Sequence, residues 1–147
     1  MSEQNVLVSV VCLCYNQKPY VKEAIQSVLD QTYKNIQVIV VDDGSTDGSA
    51  AAIKEIVSSH PKVLFIELKE NIGNCKAFNI GWRQSKGDFI VDLAADDVLH
   101  PERIEKQIDF FNQLDSSYGV VFTDAIYIDQ KKINQVNPKR GCFSRSA

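Results

Sequence analysis

Two acidic clusters, each directly after an apolar run, contain the residues best suited to chemistry. The first, Asp42–Asp47, follows Val38–Val41, and the second, Asp96–Asp97, follows Phe89–Leu93. A short apolar run that ends in carboxylates is typical of a buried strand whose carboxyl end reaches the rim of a sheet. Open α/β sheets bind ligands at that rim. The pattern therefore predicts a metal-assisted site for a phosphorylated ligand.

The first cluster has a functional and a structural interpretation. A carboxylate at a strand end can accept a hydrogen bond from a ring N–H or a ribose hydroxyl, and Asp43 is favoured for this because it follows the strand directly. Gly44 permits a sharp turn, and Ser45 or Thr46 is predicted to cap the next helix. Asp47 is interpreted as a structural acid in the first turn of that helix.

The second cluster is predicted to bind Mn²⁺ or Mg²⁺. Adjacent carboxylates repel each other, and such an ion takes one or two of them together with phosphate oxygens. The ion would offset the charge that builds on a departing diphosphate. The alternative is a simple turn toward Pro101, which leaves Asp96 and Asp97 without partners. Asp92 lies within the strand, and a structural pairing is expected for it.

Two more residues are candidates for ligand binding at the same rim. The ring of Tyr15, at the end of the first strand, can stack on a nucleobase, or it covers the edge of the core. Lys76 lies near a helix start that attracts phosphate, and the alternative is a solvated lysine. His60 and His100 lack a partner at metal-binding spacing and are interpreted as surface or capping residues.

Alternating strands and helices must bring these residues together. Helices are predicted from Val21 to Leu29, from a cap at Ser45 or Thr46 to about Ser58, from about Asn74 to Gln84, and from Pro101 through Leu114. Strands are predicted at Val6–Cys14, Ile36–Val41, Val63–Leu68, Phe89–Leu93 and Tyr118–Ile128, and Lys132–Val136 is expected to pair with the last. The pattern predicts an α/β fold with a parallel, doubly wound sheet and antiparallel additions near the C-terminus.

Composition narrows the class of protein. A chain of 147 residues is expected to form one domain, and a net charge of −3 argues against nucleic acid as a partner. No apolar run approaches the roughly 20 residues that cross a bilayer, so a cytoplasmic location is expected. The spacing of the cysteines is not that of a zinc or redox site, and Cys12 and Cys14 are interpreted as core residues.

Taken in order, the motifs resemble the amino-terminal, nucleotide-sugar-binding part of a family 2 glycosyltransferase with a GT-A fold. The resemblance covers about residues 6 to 128. The matching stretches are Val8–Val11, Tyr15–Asn16, Ser27–Tyr33, Val40–Asp47, Asn71–Gly73, Lys76–Gly81, Lys86–Ile90, and Asp96–Asp97 through Pro101.

The resemblance implies inverting transfer of a sugar from a nucleotide-diphospho-sugar, with UDP expected, to an acceptor hydroxyl. The acceptor would be a glycan or a lipid-linked saccharide in polysaccharide or glycan synthesis. Tyr15 would stack on the base and Asp43 would bind its ring N–H. The donor-binding residues it implies are Leu13, Tyr15, Asp43, Lys76 and Asp96, and the ligands of Mn²⁺ or Mg²⁺ are Asp97 and Asp96.

Three departures from the family pattern affect these expectations. Ala94 replaces the first acid of the common Asp-x-Asp motif, so metal binding rests on Asp96 and Asp97. Phe78 stands where many relatives have arginine. The catalytic base of inverting members lies beyond the matching region, and neither Asp124 nor Asp129 is assigned that role.

The chain is accordingly expected to be part of a larger enzyme. Residues 1–136 would form the nucleotide-sugar-binding domain and residues 137–147 a polar tail, with peripheral membrane association through segments outside the chain. The alternative function is a metal-dependent nucleotide-sugar-binding fragment without turnover. A receiver domain lacks its phosphoacceptor arrangement here, and a nucleotidyltransferase would need a glycine-rich loop that Cys12–Pro19 does not provide.

Overall fold

The computed structural model describes residues 6–129 and the backbone of Asn134–Gln135. The chain divides into two compact units, one ending at Asp109 and the other beginning at Phe110. No helix in the described part of the chain is both long enough and apolar enough to cross a membrane.

The first unit alternates strands and helices. Its strands form one parallel sheet in the order β3-β2-β1-β4. The elements are β1 (Val8–Cys14), α1 (Val21–Leu29), β2 (Ile36–Asp42), α2 (Ser49–Ser59), β3 (Leu64–Glu67), α3 (Asn74–Arg83), β4 (Phe89–Ala94) and α4 (Arg103–Phe111), which runs on into the second unit. The predicted α/β class is confirmed, and each of these strands and helices lies where the sequence predicted one.

Helices cover both faces of the central strands β1 and β2, as expected for strands that are apolar throughout. Alternate residues of β1 point to opposite faces: Val10 and Cys12 pack with α1, α2 and α4, whereas Val11 packs with Ala77 of α3. Cys12 and Cys14 are buried, and desolvation raises the pKa of both thiols. The prediction that they are core residues is confirmed.

Gly81 brings α3 close to the sheet. A Cβ atom at this position would lie 2.6 Å from Cγ1 of Val11 and 3.0 Å from Cγ2 of Val41. A side chain would therefore push the helix away from β1 and β2, and with it the residues that α3 contributes at the carboxyl end of the sheet.

The strand order reverses at β1, which pairs with β2 on one side and with β4 on the other. Beyond the strands, the N–H of Asp43 donates to the carbonyl of Cys14 at 2.8 Å, and the N–H of Ala95 donates to that of Leu13 at 2.9 Å. Ligands of open α/β sheets bind at such a reversal, outside the carboxyl ends of the strands.

The second unit corrects the predicted last strand. Of Tyr118–Ile128, only β5 (Tyr127–Ile128) is extended and paired, antiparallel to β6 (Asn134–Gln135). The two form a sheet of their own rather than an addition to the parallel sheet. A strand needs a backbone partner and cover for its apolar face, and Phe122 in this segment is 90% exposed. The rest of Lys132–Val136 and the predicted tail, 137–147, lie outside the described residues.

Candidate functional site

A cavity of about 340 Å³ opens at the carboxyl ends of β1 and β4. It lies where the strand order reverses, at the predicted rim of the sheet. The lining residues all belong to the first unit: Leu13, Cys14, Tyr15, Gln17, Asp43, Asn74, Ala77, Asp92, Ala94, Ala95, Asp96 and Asp97. Five of the six predicted donor and metal residues are therefore brought together, and Lys76 is the exception.

The end of β1 supplies an apolar floor and an aromatic ring. Leu13 is partly buried and packs against the core beneath α3. Tyr15 is 48% exposed and lines the cavity. A half-exposed ring on the cavity wall leaves a face on which a planar group can stack.

Asp43 is 4% exposed and holds the turn that leads into α3. Its Oδ1 accepts the N–H of Ile72 at 2.8 Å, and its Oδ2 accepts the N–H of Gly73 at 3.0 Å. A carboxylate has about four lone-pair sites, so each oxygen can still accept a hydrogen bond from a ligand. Asp43 is thus a fixed, charged acceptor on the cavity wall.

The rest of this acidic loop fastens the ends of β1 and β2 together. Asp42 accepts the N–H of Ser45 at 3.0 Å and its hydroxyl at 2.5 Å, and the same hydroxyl accepts the N–H of Asn16 at 2.9 Å. Oδ1 of Asn16 accepts the N–H of Thr46 at 2.9 Å. The prediction that Ser45 or Thr46 caps the next helix is wrong: the N-cap of α2 is Gly48, with φ +94° and no side-chain cap bond.

Asp47 also joins this loop to the loop after β1. Its Oδ2 accepts the N–H of Lys18 at 3.0 Å, and its Oδ1 accepts the N–H of Ser49 at 2.9 Å. Desolvation acts to raise the pKa of Asp47, but the hydrogen bonds from Ser49 and Lys18 outweigh it and hold that pKa below its usual value. Asp47 is structural as predicted, although it precedes the helix and bonds across to the loop after β1.

The acids in and after β4, in contrast, lack hydrogen-bond donors among the described residues. In the stretch from residue 6 to residue 129, no side chain or backbone N–H donates a hydrogen bond to the carboxylates of Asp92, Asp96 or Asp97. Desolvation raises the pKa of Asp97, the charge of Asp96 adds to the rise, and Arg103 opposes it. Desolvation and the charge of Asp97 likewise raise the pKa of Asp92. Negative charge is concentrated on this wall without compensation by donors.

Asp92 is the acid that sequence reasoning missed. The expected structural pairing is wrong within the described residues, because no ion pair or side-chain hydrogen bond joins Asp92 to another of them, and the charge of Asp97 raises its pKa. The available signal was the strand period of two, which places Asp92 and Ala94 on one face of β4. Gln17 and Asn74 also line the cavity and were not singled out, since neither stands in an acidic or apolar pattern.

Lys76 is exposed in the first turn of α3 and does not line the cavity. Its helical neighbours Asn74 and Ala77 do. The phosphate-binding role of Lys76 stays a prediction.

The residues present fit a divalent cation of the expected kind. No three His, Cys, Asp or Glu side chains within the described part of the chain are grouped to hold a metal ion. Mg²⁺ and Mn²⁺ that work with phosphates need only one or two carboxylates, and the ligand and water supply the other oxygens. Asp96 and Asp97 provide such a pair, free of donors and raised in energy by mutual repulsion.

The sequence profile of the family described as Glycosyl transferase family 2 matches residues 9–145. The chain is 41% identical over 132 residues to an uncharacterized glycosyltransferase of Rickettsia prowazekii, which covers 88% of this chain and 40% of that protein. It is 37% identical over 107 residues to an uncharacterized glycosyltransferase of Haemophilus influenzae, covering 73% and 43%. The chain thus spans less than half the length of either relative.

Solved structures show the same likeness. Staphylococcus aureus TarS, residues 1–349, in complex with UDP superposes with a TM-score of 0.66 at 27% identity, covering 73% of this chain and 32% of that one. A mannosyltransferase of Pyrobaculum calidifontis in complex with GDP-Man and Mn²⁺ gives 0.60 at 30% identity, covering 63% and 28%. The expected GT-A type of α/β fold is confirmed by these likenesses. With the profile match over most of its length, the chain belongs to glycosyl transferase family 2.

Proposed function

We propose that the cavity binds the nucleoside diphosphate part of a sugar donor, with UDP as the nucleotide. The protein would transfer the sugar to an acceptor hydroxyl with inversion. The observation that carries the proposal is the cavity itself, where an aromatic ring, a buried acceptor and an acid pair without hydrogen-bond donors among the described residues meet. The UDP complex of TarS and the GDP-Man and Mn²⁺ complex of the mannosyltransferase support it.

The base would lie between Tyr15 and Asp43. Tyr15 offers its exposed ring for stacking, and Asp43 offers its remaining lone pairs to a ring N–H. Uracil carries such an N–H at position 3, whereas neutral cytosine has an acceptor there. A hydrogen bond to a carboxylate contributes about 1–3 kcal/mol, and cytosine would forgo it, so cytidine nucleotides are disfavoured.

The diphosphate would lie toward Asp96 and Asp97. Without a cation these carboxylates repel a diphosphate, so Mn²⁺ or Mg²⁺ is expected to strengthen binding. The ion supplies neutralisation of the charge on the leaving diphosphate. The two carboxylates hold and orient the ion, and Lys76 remains a candidate for a second positive charge at the phosphates. No described residue is assigned as the catalytic base.

Calorimetric titration of UDP with and without Mn²⁺ tests the proposal. Mn²⁺ is expected to tighten binding of UDP by at least about tenfold, because two unit charges about 4 Å apart near a protein surface interact by about 4 kcal/mol and tenfold corresponds to about 1.4 kcal/mol. Asp97→Asn should abolish the enhancement. Asp30→Asn is the matched control, because Asp30 is exposed and its carboxylate accepts a hydrogen bond from Nε2 of Gln26, at 2.9 Å, away from the cavity.

CDP provides the second arm of that experiment and should bind more weakly than UDP by about 1–3 kcal/mol. No binding of either nucleotide in the presence of Mn²⁺ would contradict the donor site. Equal enhancement in wild type and Asp97→Asn would contradict the metal assignment alone. Release of UDP from a UDP-sugar in a coupled assay separates turnover from binding without turnover.

A further inference from the structure

Gln31, just after α1, is buried and fully hydrogen-bonded, yet it does not line the cavity. It is 1% exposed. Its Nε2 donates to the carbonyl of Ser27 at 3.1 Å and to that of His100 at 2.8 Å. Its Oε1 accepts the N–H of Ile104 at 3.1 Å. One amide thus ties α1 to the segment before Pro101 and to the start of α4.

Neighbours of Gln31 hold the same segment. The hydroxyl of Ser27 accepts the N–H of Leu99 at 3.1 Å. The N–H of Thr32 donates to the carbonyl of Pro101 at 2.9 Å, and its hydroxyl donates to Glu105 at 2.6 Å. Residues 99–105 are therefore anchored to the end of α1 on the side of the sheet opposite α3.

This segment begins two residues after the acid pair. On the other side of the pair, the N–H of Ala95 is anchored to Leu13 of β1. Asp96 and Asp97 thus lie on a short bridge between two anchors. Their carboxylates repel each other and receive no hydrogen bonds within residues 6–129, so the anchors must resist relaxation of the bridge.

We propose that Gln31 is a positioning residue for the donor site, holding the bridge so that Asp96 and Asp97 face the cavity together. The proposal rests on the proposed function, because the benefit of that position is capture of a cation and a diphosphate. Gln31 acts without touching the ligand. Of the anchors, it is the side chain that bonds on both sides of Pro101, which makes it the main brace of the segment.

Gln37 in β2 provides a matched control at the opposite rim. Its Oε1 accepts the Ser9 hydroxyl at 2.6 Å and the N–H of Lys86 at 2.8 Å, and its Nε2 donates to the carbonyl of Gln84 at 3.0 Å. Gln37 therefore braces the chain where it enters β4, as Gln31 braces it after it leaves. Both amides make three hydrogen bonds, but those of Gln31 hold the segment that follows the acids, whereas those of Gln37 hold the segment before β4.

The test compares Gln31→Met and Gln37→Met with wild type, because methionine keeps the shape of the side chain and removes its hydrogen bonds. Hydrogen exchange followed by mass spectrometry reports the order of residues 95–105 and 84–88. Titration of UDP with and without Mn²⁺ reports the cation-dependent part of binding. Ser27→Ala, which frees the N–H of Leu99, takes the place of Gln31→Met if that variant does not fold.

Gln31→Met should speed exchange in 95–105 and reduce the Mn²⁺ enhancement of UDP binding by about 10-fold or more, as for other outer-shell supports of metal sites. UDP affinity without Mn²⁺ should stay within about twofold, because Tyr15 and Asp43 are held by other contacts. Gln37→Met should speed exchange in 84–88 and leave the enhancement intact. This split between the two kinds of binding would not arise from a general loss of stability.

The proposal is overturned if Gln31→Met leaves exchange in 95–105 unchanged, or if Gln37→Met reduces the enhancement equally. It is also overturned if Gln31→Met speeds exchange but keeps a full enhancement. If wild type shows no Mn²⁺ enhancement, the metal assignment under the proposed function fails. Exchange in 95–105 then decides separately whether Gln31 positions the segment.

Discussion

The loops after β2 and β4 are both acidic, but their carboxylates have opposite surroundings. After β2, Asp42 and Asp47 accept hydrogen bonds from backbone N–H groups and serine hydroxyls. After β4, Asp96 and Asp97 receive none from the described residues, and the pKa of Asp97 is raised by desolvation and by Asp96. The first loop uses its charge to build the rim, and the second leaves its charge available to a ligand.

This difference separates structural acids from candidate ligands better than their position in the sequence does. Both loops follow a strand of the parallel sheet, and both contain a pair of adjacent Asp residues. What distinguishes them is the supply of donors, since Ser45 and Ser49 serve the first loop and no hydroxyl serves the second. Asp43 lies between the two cases, because it has two backbone donors and also lines the cavity.

The largest expected effect is a loss of stability on mutation of the loop after β2. Asp42→Ala removes a buried acceptor and leaves the N–H and hydroxyl of Ser45 unpaired, so the free energy of unfolding should fall by about 2 kcal/mol. Asp97→Ala removes a carboxylate that has no donor, and stability without metal should change by less than about 0.5 kcal/mol. Urea denaturation in EDTA measures both. Similar losses in the two variants would show that the loops do not differ as described.

The next effect is a loss of UDP affinity that should not depend on the loop after β4. Tyr15→Ala removes the exposed ring and should weaken UDP binding by about 1–3 kcal/mol, the usual contribution of base stacking on an aromatic side chain. The weakening should be equal with and without Mn²⁺, because the ring is not part of the acid loop. Tyr20→Ala, outside the cavity lining, is the control in the same titration. A loss confined to the Mn²⁺ arm would place the base elsewhere.

The smallest effect is in the pH dependence, where the two loops should have opposite signs. The lowered pKa of Asp47 stabilises the fold above the usual value of 3.8, and this contribution is lost as the pH falls through the folded-state pKa. The raised pKa of Asp97 makes its charged form a penalty at neutral pH, and protonation on acidification relieves it.

Urea denaturation between pH 7 and pH 3, again in EDTA, tests these signs. At pH 7, Asp47→Ala should be less stable than wild type and Asp97→Ala slightly more stable. Both differences should shrink on acidification, and that of Asp97→Ala should do so at the higher pH. A stability difference of the same sign in both variants would refute the assignment.

The sequence predicted the sheet, the rim and the acids because these depend on local patterns. Apolar runs specify β1, β2 and β4, and parallel pairing then brings their carboxyl ends together. The capping role of Ser45 and Thr46 failed because their partner, Asn16, is distant in sequence. A local motif cannot show a competing partner on another loop.

Asp92 and Gln31 were missed for related reasons. The run that contains Asp92 is apolar enough for a strand covered on both faces, but β4 is the last strand of the described parallel sheet and the face with Asp92 is open. Gln31 lies in a stretch, Ser27–Tyr33, that matched the family pattern, but the pattern assigned no chemical role to this residue. Its importance depends on contacts with His100 and Ile104, about seventy residues away.

The double use of Asp43 has a consequence for how the cavity works as a whole. The carboxylate that would recognise a base also holds the N–H of Gly73, and α3 begins at the next residue, Asn74, which lines the same cavity. A base that hydrogen-bonds to Asp43 would therefore affect the turn that precedes α3. Binding of a base at Asp43 and the position of Asn74 on the cavity wall would be coupled through the turn at Gly73.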